Sequence, residues 1–156
     1  MAELSRQQEL DVEVDSYGFA LQDVDDTQVP VEYPEGREAG GAFVTARVGR
    51  VDIESAGHTH TATITAEVWD GEPPATEDRG QWEERAETQI ASSSGELAVW
   101  AVTGGPTDTN LHLSDAGGTW RVRVYCEGRS EVRRLAQEGM PEGIEHYLVQ
   151  FWPATA

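Results

Sequence analysis

The sequence predicts an all-β fold, a two-sheet antiparallel sandwich, with a β-barrel as the alternative architecture. Three observations carry this. Apolar and polar residues alternate with period two in several separate runs. Gly- and Pro-rich turns recur between the runs, and no strand pattern is followed by a long helical one. A length of 156 residues fits a single domain, its core spanning about 8–153.

The runs come in order. Leu10, Val12 and Val14 alternate with acids, and Tyr17, Phe19 and Leu21 resume on the other parity, so a β-bulge or a bend is expected at Ser16. Asp23 to Gly41 holds Pro30, Pro34, Gly36 and Gly40-Gly41 and reads as a long acidic irregular loop. Phe43 to Ile53 is extended, broken at Gly49, with Val48, Val51 and Ile53 offered to the core. From His58 to Trp69, His58, His60, Ala62, Ile64, Ala66 and Val68 share one face, and a threonine-rich row fills the other.

Pro73-Pro74 makes Asp70 to Gly80 a loop. Trp82 to Ala91 and Leu97 to Val102, joined by Ser92-Ser93-Ser94-Gly95, read as a hairpin. Leu111 and Leu113 mark a short strand, Trp120 to Cys126 the clearest one, and His146 to Trp152 a central strand, apolar on both faces and ended by Pro153. Only Glu131 to Glu138 reads as helix, two turns at most, stopped at Gly139.

Charge is the most extreme property: 29 acidic residues against 11 basic ones give −18, and every basic residue is arginine. Residues 1–38 alone carry 11 acids and two arginines, half the net charge in a quarter of the chain. Such a field disfavours nucleic acid and anionic membranes, which are bound by Lys and Arg. It favours a basic or neutral protein partner. The same composition also follows from an arginine-favouring genome, a salt-adapted cytoplasm or plain solubility. The single cysteine, Cys126, sits among strand residues and reads as an inert buried thiol. No basic start or long apolar run is present, and a cytoplasmic location is expected.

The chemistry-bearing residues are few. His58 and His60 occupy alternate strand positions, a spacing that metal sites use, but His112, His146, Asp52 or Glu54 would have to converge on them. Ser92, Ser93 and Ser94 lack a nucleophile-elbow setting, and Cys126 with His146 has no oxyanion element beside it. No cofactor motif occurs, and no enzymatic activity is expected. Of five tryptophans, Trp100, Trp120 and Trp152 read as core. Trp69 and Trp82 flank the Pro73-Pro74 loop among Asp70, Glu72, Glu77, Asp78, Glu83 and Glu84, a surface suited to a basic protein. With the loop acids Asp23, Asp25, Asp26, Glu32, Glu35 and Glu38, they form the expected partner-binding set.

The order of segments carries a resemblance. Gln8-Glu9-Leu10 leading to Tyr17-x-Phe19-x-Leu21, the Trp120 to Cys126 strand after a Gly-rich turn, and the closing Glu145-His146-Tyr147-Leu148-Val149-Gln150-Phe151-Trp152-Pro153 resemble small actinobacterial acidic β-domain proteins. In layout they are also similar to the competence protein J family, inhibitors of a DNA-entry nuclease. The resemblance spans roughly residues 8–153, without the loop from Asp23 to Gly41, and implies an inhibitory or immunity-type role. A self-associating accessory domain and a metal or small-ligand binder built on His58 and His60 are the alternatives.

Overall fold

The computed structural model describes residues 2–38 and 40–154, so the expected loop 23–41 is covered except at position 39, which lies outside the described residues. These residues form β1 (Leu4–Val14), β2 (Gly18–Asp23), β3 (Val44–Arg47), β4 (Arg50–Glu54), β5 (His60–Trp69), β6 (Glu84–Ser92), β7 (Glu96–Ala101), β8 (Gly105–His112), β9 (Gly118–Glu127), α1 (Arg129–Leu135) and β10 (Glu142–Pro153). Two five-stranded sheets result, one ordered β1-β5-β10-β9-β6 and the other β3-β4-β2-β7-β8. They face each other without closing, as a β-sandwich.

The inward faces follow the alternation read above. Val12 and Val14 of β1, Ala62, Ile64, Ala66 and Val68 of β5, Val122, Val124 and Cys126 of β9 and Tyr147, Val149 and Phe151 of β10 meet Phe19, Leu21, Val51, Ile53, Leu97, Val99 and Leu111 from the second sheet. Each such Val, Leu, Ile or Phe side chain, fully buried, contributes about 1.5–3 kcal/mol of transfer free energy. The parity shift at Ser16 is a bend rather than a bulge. Ser16 and Tyr17 both have positive φ, the requirement of a tight two-residue turn, and the chain passes there from the first sheet to the second.

Several expectations are corrected. β5 and β10 run parallel, so the first sheet is mixed rather than antiparallel throughout. β6 and β7 do not form a hairpin: β6 pairs with β9, β7 pairs with β2 and β8, and Ser93 to Gly95 crosses between sheets. Val48 is the exposed tip of the β3–β4 hairpin, not a core residue, because Gly49 makes a turn there with φ +74. Trp100 is half-buried on the outer face of the second sheet. Trp152 is buried, but on the outer face of the first sheet, under the Arg123 guanidinium 4.9 Å from its ring centre. Asp23 is the last residue of β2 and buried, not part of an exposed loop. The helix begins two residues before its expected start and ends at Leu135.

Candidate functional site

The β5–β6 connection, residues 70–83, folds back over the outer face of the first sheet. Its anchor is Glu67, 2% exposed, whose carboxylate accepts from Arg79 Nη2 at 2.8 Å, Trp69 Nε1 at 3.0 Å and Gln150 Nε2 at 3.1 Å. Burial pushes the Glu67 carboxyl up, but hydrogen bonds from Arg79, Gln150 and Trp69 outweigh it and hold the group below its ordinary value. Pro73 and Thr76 are the strap's own buried residues. Trp82 Nε1 donates to the Thr76 carbonyl at 2.9 Å, and its ring packs on Tyr125 (5.2 Å) and His146 (6.4 Å).

Between this strap, the start of α1 and the exposed part of the sheet lies a groove of about 1290 Å³. Glu9, Thr63, Glu127 and His146 form its floor; Glu77, Asp78 and Gly80 to Glu83 form one wall, and Gly128, Ser130 and Glu131 the other. Six carboxylates line it, from Glu9, Glu77, Asp78, Glu83, Glu127 and Glu131, and no arginine does. Half of them have internal work. Glu83 caps α1, accepting from the Arg129 amide at 2.7 Å and from Ser130 Oγ at 2.6 Å, and the Ser130 hydroxyl with the adjoining helix amides lowers its pKa. Glu127 accepts from the Gln81 amide at 2.9 Å, and Glu77 from the Tyr125 hydroxyl at 3.2 Å. Glu9, Asp78 and Glu131 form no ion pair among the described residues and face solvent or the groove.

The rest of the molecule reinforces this negative surface. Arg37, Arg47, Arg50, Arg79, Arg85, Arg121, Arg123 and Arg129 each lie within 4 Å of a carboxylate, so eight of the eleven arginines are tied to acids of the same chain. Arg50 is the most buried, forking onto Asp52 at 2.8 and 2.9 Å. Cationic charge is thereby neutralised locally, and the excess carboxylates are left outward.

The expected partner-binding residues fall in four places. Trp82 lies in the groove, with Glu77, Asp78 and Glu83 beside it. Trp69, half-buried, borders the far end of the strap. Asp26, Glu32, Glu35 and Glu38 are exposed on the loop after β2. Asp23 and Asp25 instead hold the chain together: Asp23 accepts from the Ser93 amide (2.8 Å), Ser93 Oγ (3.0 Å), Ser94 Oγ (2.5 Å) and the Asp25 amide (3.1 Å), and Asp25 caps a short 3-10 turn at Asp26–Gln28. The two histidines part company. His60 points inward, whereas His58 is exposed against the Tyr17 ring, 5.1 Å away. Asp52 and Glu54 are paired with arginines, and no cluster of three metal-ligating side chains occurs among the described residues. Cys126 is fully buried, and burial pushes its thiol well above the ordinary range. Sequence reasoning missed Glu9, Glu127, Glu131 and His146 as groove residues. They belong to β1, β9, α1 and β10, and only the β1–β5, β5–β10 and β9–β10 pairings bring them together.

This architecture, a two-sheet sandwich with one short helix and a strapped outer face, defines a fold class shared with known structures. No family model and no curated protein matches the chain. The crystal structure of ComJ from Bacillus subtilis, an inhibitor of the DNA-degrading activity of NucA, superimposes with a TM-score of 0.63 at 14% identity over 99% of each chain. The product of crocagin biosynthetic gene J does so with 0.61 at 16% identity, again over 99% of each. The likeness is one of fold, and it bears out the resemblance in layout read from the segment order.

Proposed function

We propose that the protein is a non-catalytic inhibitor-type module that binds a basic protein, such as a nuclease, through the acidic groove beside Trp82. The observation that carries this reading is the lining of the groove: six carboxylates, an aromatic side chain and no arginine. A nuclease presents cationic side chains where phosphates bind, and carboxylates in a concave surface attract them by the same field, raising the association rate. The whole-chain likeness to a nuclease inhibitor supports the class of partner. Asp26, Glu32, Glu35 and Glu38 extend the negative field on the β2–β3 loop.

The test is inhibition of DNA degradation by a panel of basic nucleases, with association rates measured across a salt series. A triple variant, Glu9→Gln with Asp78→Asn and Glu131→Gln, removes groove charge that no internal pair uses. Association is expected to slow about tenfold at low salt, with a shallower salt dependence. Unchanged rate and slope in that variant would exclude the groove. Assembly of the protein with itself that persists at high salt, with no nuclease inhibited, would favour an accessory, self-associating role instead.

A further inference from the structure

One buried cluster takes no part in the groove chemistry. At one end of the core, between the sheets, Ser55 Oγ donates to Glu145 Oε1 at 2.6 Å, and Tyr147 donates to the same oxygen at 2.6 Å. The Ala56 amide donates to Glu145 Oε2 at 2.9 Å. His60 Nε2 lies 2.7 Å from Ser55 Oγ. Because the serine proton is directed to the carboxylate, Nε2 is the donor in that contact and the neutral ring carries its proton there. Nδ1 is buried and makes no hydrogen bond. Ser55, His60, Glu145 and Tyr147 are all 5% exposed or less.

The cluster is joined to the groove wall. Arg129, the first residue of α1, reaches in with Nη1 3.6 Å from Glu145 Oε2 and 3.1 Å from the Glu54 carbonyl, its guanidinium over the Phe43 ring. Its neighbours Gly128, Ser130 and Glu131, and Gly143 and Ile144 just before Glu145, all line the groove. Gly128 packs against the Ile144 carbonyl too closely to admit a Cβ, so the start of α1 and the start of β10 are held as one piece.

We propose that this cluster is a proton-operated latch: protonating His60 loosens residues 128–147 from the sandwich and reshapes the wall of the acidic groove. The charged and titratable groups around His60 are Glu145 and Tyr147 on β10, Arg129 on α1, Cys126 on β9, and Glu13, Asp15 and Glu142 at the adjoining cleft. Glu145, 3.5 Å from Nε2, and the Thr61 backbone favour the imidazolium, but burial outweighs them and holds the His60 pKa below its ordinary value. The sign follows. A depressed histidine pKa makes the closed form bind protons less readily than the open form, so closure weakens as pH falls below about 6.5 and levels off under the folded value.

The latch itself is independent of the proposed partner, whereas any effect on binding rests on the groove reading. Hydrogen exchange corrected for intrinsic rates, at pH 7.5 and pH 5, compares the wild type with His60→Gln, which keeps a donor but does not titrate. Amides of 128–147 in the wild type are expected to exchange several-fold faster at the lower pH, and those of the Gln variant to be flat. An equal pH response in both proteins, or none in the wild type, overturns the latch. If the variant does not fold, ring NMR of wild-type His60 decides: amide shifts in 128–147 that titrate with its midpoint support the latch, and independent midpoints overturn it. A hexa-arginine peptide that binds at neither pH while the exchange response persists counts against the groove and not against the latch.

Discussion

The buried carboxylates Asp23 and Glu67 are each held by the donors gathered around them. Asp23 is 2% exposed and gathers donors from Ser93, Ser94 and Asp25. Burial pushes its carboxyl up, but the hydrogen bonds from Ser94, Asp25 and Ser93 prevail and lower it. Asp23→Ala strands those donors inside the protein and is expected to cost about 3 kcal/mol, read as a lower urea midpoint with an unchanged slope. Glu67 behaves alike. A folded pKa below the unfolded value contributes stability that is present above the unfolded pKa, about 4.5, and is lost as pH falls through the folded one. Acid denaturation of the wild type is therefore expected to set in below about pH 4.5, and Glu67→Gln to remove part of that dependence. A Gln variant whose stability keeps the full wild-type slope in acid would show that Glu67 is not one of the groups responsible.

At the scale of elements, the strap over residues 70–83 and the turn from β6 to β7 position everything else. The strap hangs on Arg79, which is partly exposed, so its pairing with Glu67 is discounted for solvent. Arg79→Ala is expected to cost about 1–2 kcal/mol and to release the strap locally, shifting Trp82 fluorescence toward that of an exposed indole. Unaltered Trp82 emission would mean that Pro73 and Thr76 hold the strap without the ion pair. At the β6–β7 crossing, Gly95 has φ +77 and stands against the Ser114 and Ala116 carbonyls. Any side chain there meets both backbone strain and collision, so Gly95→Ala is expected to destabilise by about 2–3 kcal/mol in thermal unfolding. The tight turn and the Asp23 hydrogen bonds together explain why two neighbouring strands enter different sheets.

Across the whole molecule, a net charge of −18 on a surface whose arginines are largely paired makes self-repulsion a standing cost of the folded state. Raising NaCl from about 10 mM to about 1 M shortens the screening length from about 30 Å to about 3 Å and is expected to raise Tm. A Tm unmoved by salt would mean that the carboxylates are spaced widely enough not to interact. The alternating runs determined the all-β class, the strand faces and most of the core, because which side of a strand is buried is a local pattern with period two. Acidity, the inert cysteine and the absence of lysine were equally plain in the residues. Tertiary structure alone decided the parallel β5–β10 pairing, the separation of β6 from β7 and the inward turn of Asp23. It also decided the groove, whose floor comes from β1, β5, β9 and β10 and whose walls come from the strap and the start of α1. Strand partners distant in sequence are chosen by how whole faces pack and by where buried polar groups find donors, and neither is encoded within any single run of residues.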